Sequence, residues 1–206
     1  MKRYPAIALL ELSNIAAGIK TADAMVKKSP IALLKTGTVS QGKYLVLVGG
    51  TVASVDEAYQ EGLHIAGQGR IDSLILPDVH PRVAEAALGK EESAASESLG
   101  ILETPFIATN IEAADAAIKG AGIQILEMRL GDGYGGKAYT LFNGRIEAVE
   151  VAIEIACEIV NRKNRSAVTE IIPMLHDVMA QQISGPLRFR DSGQMHLDDG
   201  EQDVIG

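Results

Sequence analysis

Histidines, a cysteine and two matched glutamates are the side chains of this chain that could bind a metal or catalyse proton transfer. The histidines are His64, His80, His176 and His196. They lack metal-ligand spacing, and no neighbouring Ser, Cys or carboxylate completes a nucleophile and its base. Glu11 and Glu103 each end an apolar run, where bonding to local backbone amides explains them as well as paired-carboxylate chemistry does. The lone Cys157 lies on the apolar side of a predicted helix, as a buried core residue would. These patterns predict no catalytic centre, metal site or cofactor.

Residues 131–136, GDGYGG, satisfy the G-x-G-x-x-G spacing of a dinucleotide-binding loop. That chemistry requires the glycines to open a helix whose N-terminal amides bind pyrophosphate. Residues 137–142 instead alternate and include Tyr and Phe, which is typical of a strand. The glycines are therefore predicted to form a tight hairpin turn that approaches a neighbouring backbone closely.

Composition and charge narrow the function classes further. Of the 206 residues, 47% are hydrophobic and 22% are charged, which is typical of a folded globular protein. The net charge of −8 argues against general nucleic-acid binding, and no apolar run approaches the roughly 18 residues of a membrane helix. A single cysteine excludes a disulfide within the chain, as in proteins of a reducing compartment. The short apolar run near the N-terminus lacks the small-residue cleavage site of a secretory signal peptide. A cytoplasmic protein is therefore expected.

An internal duplication organises the chain. Shifted by 92 residues, 11 of the 28 positions between 7 and 34 are identical, and after two-residue insertions His80 falls on His176. Because these two histidines repeat, a structural role at a helix start or an interface is favoured over a catalytic one. The predicted units are a first domain over 1–93, a second domain over 98–189, and an acidic, mobile tail over 190–206.

Hydrophobic periodicity predicts the same elements in both copies. The first copy has predicted strands at 6–12, 31–39, 43–48 and 74–76, and helices along 15–26, 52–66 and from Pro81. The second has strands near 98–104, 124–130, 137–142 and 168–172, and helices near 109–120, 146–162 and 175–182. The order βαββαβα predicts an α/β (α+β) fold with a mainly antiparallel sheet and helices against it.

Several motifs together resemble the bacterial microcompartment shell domain. They are LLE at 9–11, ADAMVK at 22–27, GK at 42–43, Gly50 with Val52 and Val55, and LPDVHPR at 76–82. The resemblance covers nearly all of 5–89 and 98–185, and it is closest to tandem-domain shell proteins of the single-layer propanediol-utilisation type. It implies two ferredoxin-like domains in a structural tile, not an enzyme. Such a tile is a homotrimer that imitates a hexamer and meets other shell proteins within a microcompartment of the cytoplasm.

The same resemblance implies roles for individual residues. Those implied at the tile edge are Lys27, Lys119, Arg82, His80 and His176. Those implied to line a central pore for small polar metabolites are Thr38, Val39, Ser40 and Gln41, with Asp132, Gly133 and Tyr134 from the second copy. Certain relatives carry a cysteine at the Ser40 position, where it holds an iron–sulfur cluster. A serine hydroxyl does not replace a thiolate in that role, so no cluster is expected.

Alternatives stay open for the function of the protein and for the role of the two lysines implied at the tile edge. The duplicated α/β domain could belong to a regulatory protein that senses a small molecule at a subunit interface. A trimer that grows into sheets would favour the tile, whereas a ligand-dependent dimer would favour the sensor. Lys27 and Lys119 could likewise be ordinary exposed helix lysines.

Overall fold

The computed structural model describes residues 4–95, 97–195 and 197, and the two halves have the same element order. The first half contains strands β1 (Ala6–Leu12), β2 (Leu33–Thr38), β3 (Tyr44–Gly50) and β4 (Arg70–Leu76), and helices α1 (Ile15–Lys28), α2 (Val52–Ala66) and α3 (Pro81–Ala87). The second contains strands β5 (Ser98–Thr104), β6 (Gln124–Leu130), β7 (Ala138–Gly144) and β8 (Val168–Ile172), and helices α4 (Ile107–Gly120), α5 (Ile146–Arg162) and α6 (Asp177–Ile183). Each half therefore has the predicted order βαββαβα.

Each half is built on a four-stranded antiparallel sheet. The strand order is β2-β3-β1-β4 in the first sheet and β6-β7-β5-β8 in the second. Strands β1 and β4 pair in the same register as strands β5 and β8. Glu11 lies opposite Asp72 in the first sheet, and its equivalent Glu103 lies opposite Val168, the equivalent of Asp72, in the second. The predicted fold class, with helices packed against a mainly antiparallel sheet, is confirmed.

Two elements begin earlier than predicted. β4 starts at Arg70 instead of residue 74, and α4 starts at Ile107 instead of residue 109. Both differences arise where the halves meet. Asp72 and Ile107 are buried there, so a polar strand segment and an early helical turn are stabilised by partners distant in the sequence.

The core continues from one half into the other. Ala8, Leu10 and Leu12 of β1 face the helices of the first half. Ile7 and Leu9, on the opposite face of the same strand, belong to a cluster that includes the buried residues of α4 and α5. Because side chains alternate along a strand, β1 contributes to both clusters and is buried along its whole length.

Local side chains cap several of the helices. Asn14 accepts a hydrogen bond from the Ala17 amide at the start of α1. His80 and His176 occupy the same place before α3 and α6, where the imidazole Nδ1 accepts from the amide two residues on. The predicted helix-start role of the repeated histidine is confirmed. His196 lies outside the described residues.

The polar segment between the domains is bonded to the second half. The Glu92 amide donates to the Leu126 carbonyl, and the Ala95 amide donates to the Asn143 side chain. The acidic tail expected over 190–206 lies mostly outside the described residues, which include 190–195 and 197 of it.

Candidate functional site

The two predicted pore loops meet within one chain. Ser40 lies in the turn between β2 and β3, and its Oγ accepts a hydrogen bond of 2.9 Å from the Gly133 amide of the β6–β7 loop. The Ser40 amide donates to the Gly131 carbonyl at 3.2 Å. Gly131 has a φ of +84°, and a Cβ there would lie 2.7 Å from the side chain of Ile107, so only glycine fits this approach.

The other predicted pore residues surround this contact. Thr38, Gln41 and Asp132 are exposed, and Val39 is half-buried. The Asp132 carboxylate lies 3.8 Å from the guanidinium of Arg188, which offsets its negative charge. No motif in the sequence marks Arg188 as part of this site.

Tyr134 turns towards the second sheet instead of protruding from its loop. Its ring meets that of Tyr139 edge to face, with centroids 5.3 Å apart. The Tyr139 hydroxyl donates to the buried Glu127 carboxylate at 2.9 Å. Burial raises the pKa of Glu127 and of Tyr139, so the Tyr139 phenol keeps its proton. The ring contact of Tyr134 with Tyr139 and the hydrogen bond from Tyr139 to Glu127 therefore anchor the loop to the second sheet.

A buried ion pair lies directly beneath the loops, at the contact between the domains. Lys43 Nζ lies 2.8 Å from Glu11 Oε1 and also donates to the carbonyls of Pro105 and Gly136. Glu11 Oε2 accepts from the Ile107 amide at 2.8 Å, at the start of α4. Burial raises the pKa of Glu11, and the hydrogen bond from Lys43 opposes that rise. The amide that Glu11 binds belongs to the other domain, so bonding to local backbone amides, one of the two explanations left open from sequence, does not describe Glu11.

A second carboxylate crosses the same contact. Asp72 Oδ2 accepts from the amide and the hydroxyl of Thr109, at 3.0 and 2.5 Å, and Lys163 Nζ lies 3.2 Å from Oδ1. Asp72 is only 6% exposed. No motif in the sequence marks Asp72 as part of this contact. The signal that could have found it is a break in the repeat, since the matching position of β8 is Val168.

The two predicted edge lysines have different surroundings. Lys27 is exposed and pairs with Asp23 one helical turn away, at 2.6 Å. Lys119 is half-exposed, pairs with Asp115 at 2.6 Å, and donates to the carbonyl of Asp78 in the other domain. Lys119 therefore joins the two domains of the chain, whereas Lys27 faces solvent.

The predicted position of Arg82 at the outer edge is wrong. Arg82 is 8% exposed, and its guanidinium donates to the carbonyls of Ile125 and Leu126, at 2.8 and 2.9 Å. The reason is a shift in register of β6 between Ile125 and Glu127, which leaves these carbonyls free to accept bonds from α3. His80 next to it is half-buried, and its amide donates to Asp115. His176 is exposed.

Neither a metal site nor a membrane helix is found in the described part of the chain. Over these residues, His, Cys, Asp and Glu side chains form no group of three or more that could hold a metal ion. In the same ranges, the helices are too short or too polar to cross a membrane.

Comparison with known proteins identifies the family. The model of the BMC domain matches residues 6–79 and 98–175. The chain therefore belongs to the BMC-domain family of bacterial microcompartment shell proteins and carries two such domains in tandem.

Individual relatives agree with this assignment. The chain is 35% identical to the bacterial microcompartment shell protein PduT of Citrobacter freundii, over 86% of this chain and 97% of that protein. It is 29% identical to the carboxysome assembly protein CcmO of Synechocystis sp., over 82% of this chain and 61% of that protein. A crystal structure of a microcompartment protein from Desulfitobacterium hafniense superimposes with a TM-score of 0.76 at 35% identity, over 85% of this chain and 98% of that chain.

A more distant structure shares the fold. It is the fused permuted hexameric shell protein of the RMM microcompartment, with a TM-score of 0.58 at 18% identity, over 77% of this chain and 85% of that chain. PduT of Citrobacter freundii and this fused protein are both shell proteins.

Proposed function

We propose that three copies of this chain close into a pseudohexameric shell tile, with an uncharged polar opening at its centre that passes small polar metabolites. One observation carries the proposal. Apolar side chains that are buried where the two domains of a chain meet have exposed equivalents at the matching positions of the other domain.

The pattern is clear on the two matching helices α1 and α4. Ile107 and Ile111 of α4, which packs on β1 and β4, are both 0% exposed. Their equivalents on α1, Ile15 and Ile19, are 43% and 55% exposed. Exposed isoleucines at the positions that α4 buries indicate a face that another domain covers.

The complementary face is open on the second domain. Val83 of α3 is 0% exposed against the second domain, whereas its equivalent on α6, Met179, is 48% exposed. The chain thus contains one completed contact between a first and a second domain and exposes both halves of another. A head-to-tail contact of this kind closes a ring when the rotation allows it, and six domains require three chains.

Ring closure would gather three copies of the paired loops around one axis. Ser40 and Gln41 contribute hydroxyl, amide and backbone groups, and Arg188 offsets the charge of Asp132. Uncharged donors and acceptors replace part of the hydration of a small polar solute, which favours its passage. With serine at position 40 the proposed pore holds no iron–sulfur cluster. We further propose that this tile has no catalytic role and resides in a microcompartment of the cytoplasm.

The cleft between the two sheets offers little support for the sensor alternative. Its cationic lining residues, Lys35, Arg129 and Arg188, already contact the Leu88 carbonyl and the carboxylates of Glu91 and Asp132. A charged ligand would have to displace these contacts.

Native mass measurement of three proteins tests the tile. The wild type is expected to be a trimer that grows into sheets, and Ile19→Asp is expected to be a folded monomer because it places a charge on the open face of α1. Val151→Asp is the matched control, since Val151 is 42% exposed but its first-domain equivalent is the exposed Glu57. A wild-type monomer, a ligand-dependent dimer or a trimeric Ile19→Asp variant would contradict the proposal.

A further inference from the structure

We infer that the two kinds of domain contact in the ring are chemically different, so that a first domain accepts only a second domain as its neighbour. The inference rests on the proposed trimer. We call the contact inside the chain the inner seam and the contact between chains the outer seam.

The inner seam is completed by a helix cap that crosses it. The residue before α4 is Phe106, whose side chain cannot accept a hydrogen bond. Asp72 on β4 of the other domain caps the helix instead, by accepting from the Thr109 amide and hydroxyl. Lys163 adds a cation to the same carboxylate. All donors of this buried group come from the second domain, apart from the amide of Ser73 beside it.

The outer seam lacks each of these features. The residue before α1 is Asn14, which caps its own helix through the Ala17 amide at 2.9 Å. Ala17 stands where α4 has Thr109, and Val168 stands where β4 has Asp72. In the ring, Val168 of one chain would therefore meet Ala17 of the next, an apolar pair. Val168 is 63% exposed in the single chain.

A second position shows the same exchange independently. Arg82 on α3 donates to the carbonyls freed by the register shift in β6. Its equivalent on α6 is Val178, and β2 pairs with β3 without such a shift. A polar contact at the inner seam is thus again replaced by an apolar residue at the outer seam.

In the intact chain the face of β4 is already covered by α4, so wrong pairings of domains arise only when the inner seam opens, and these exchanges penalise them. If α1 docked on β4 of another chain, Asp72 would be buried opposite Ala17, whose amide Asn14 already occupies. If α4 docked on β8, Val168 would leave the Thr109 amide and hydroxyl buried without an acceptor. A buried carboxylate or amide without a partner is strongly disfavoured, so specificity arises from the rejected combinations. The partner of each open face is the opposite face of a second copy of this chain.

The difference also suits the order of assembly. The inner seam forms during folding of one chain, where the partner of Asp72 is always present. The outer seam forms between chains, and there the Ala17 amide is already bonded to Asn14 in the free chain, whereas the Thr109 amide depends on Asp72 of the other domain.

The test introduces the aspartate and the threonine of the inner seam at the matching positions of the outer seam. The monomer–trimer equilibrium is followed by analytical ultracentrifugation and native mass spectrometry. Val168→Asp is expected to raise the chain concentration at half-assembly at least tenfold, because it buries a carboxylate opposite Ala17. Val168→Thr, which keeps the shape without the charge, is expected to stay within threefold of wild type. The triple variant Asn14→Ala, Ala17→Thr, Val168→Asp supplies the donors and frees the amide, and is expected to recover at least tenfold relative to Val168→Asp.

The outcomes separate this inference from the proposed function. If the wild type is trimeric and Val168→Asp assembles equally well, or the triple variant is no better than Val168→Asp, the inference is overturned while the tile stands. If the wild type is not trimeric, the tile and the inference both fail. Circular dichroism of each variant, whose changed position 168 is exposed in the single chain, confirms that loss of trimer is not loss of fold.

Discussion

Replacing Lys43 with methionine should destabilise the chain in a strongly pH-dependent way. Methionine keeps the length of the side chain but removes the ammonium group that lies 2.8 Å from Glu11 Oε1. Glu11 is 0% exposed and keeps only the Ile107 amide as a partner. Removing one member of a buried ion pair costs about 3–5 kcal/mol of unfolding free energy, because a carboxylate is left without its cation.

The sign of the pH dependence follows from the pKa of Glu11. Burial raises that pKa in the folded chain, so between the unfolded and folded values the folded chain binds more protons. The contribution of Glu11 to stability therefore falls as pH rises through this window and is constant outside it. Without Lys43, the interactions that lower the pKa are lost, so the window extends to higher pH. The deficit of Lys43→Met should therefore be smaller at pH 5 than at pH 8, where it should be about 3–5 kcal/mol.

Urea denaturation at pH 5 and pH 8, at one chain concentration, measures both deficits. The double variant Glu11→Gln, Lys43→Met removes the buried charge and should show a small deficit that does not vary with pH. Lys27→Met is the matched control, since its exposed pair with Asp23 contributes only about 0.3–0.5 kcal/mol. Equal deficits of Lys43→Met at the two pH values would refute the reasoning, as would a double variant no more stable than the single one at pH 8.

Three further predictions concern an edge, a packing contact and a loop. Lys27→Ala should leave the fold and the trimer unchanged but reduce sheet formation in electron micrographs; unaltered sheets would contradict the edge role. Gly18→Ala should destabilise by about 1–3 kcal/mol in thermal unfolding, because its Cβ would lie 2.3 Å from the Tyr44 ring, and an unchanged midpoint would contradict this packing. Ser40→Ala should cost about 1 kcal/mol at the loop contact, seen as roughly fivefold faster hydrogen exchange of the Gly133 amide; unchanged exchange would show that the bond does not hold the loops together.

Periodicity and the repeat were sufficient to predict most of the elements. α2 has apolar residues at helical spacing along its whole length, and its predicted range of 52–66 matches the structure. The start of β4 was missed because Asp72 and Ser73 interrupt the apolar pattern that marks a buried strand. Asp72 is buried only because Thr109 and Lys163 satisfy its carboxylate, and those residues lie far along the chain.

The misplaced residue Arg82 shows what local sequence leaves out. An arginine one residue inside a short helix is expected to be exposed, and the shell-domain resemblance placed it at the edge. Its burial depends on two carbonyls of the edge strand β6, about forty residues later, at the point where that strand is shifted against β7. Neither the shift nor its position is visible in the residues around Arg82.

The positions at which the two copies differ carry the information that each copy alone lacks. Some differences exchange volume inside one domain. Gly18 packs against Tyr44 in the first domain, whereas the matching positions hold Asn110 and Ala138, and Asn110 bonds to the Leu102 carbonyl instead. Such exchanges preserve the fold, because the total volume and the satisfied polar groups are kept.

Other differences exchange polarity across the contact between domains and have a different consequence. Asp72 has Val168 at its matching position, and Thr109 has Ala17 at its matching position, so a polar pair corresponds to an apolar pair. The two members of each pair lie in different domains. A difference between the copies that is compensated inside one domain says nothing about contacts with another domain. A polar pair in different domains that is matched by an apolar pair in different domains indicates that both sets of positions lie at a domain contact. The inner seam supplies that contact for Asp72 and Thr109. For the exposed Val168 and the half-buried Ala17 it can be supplied only by another chain, which supports the proposed closed ring.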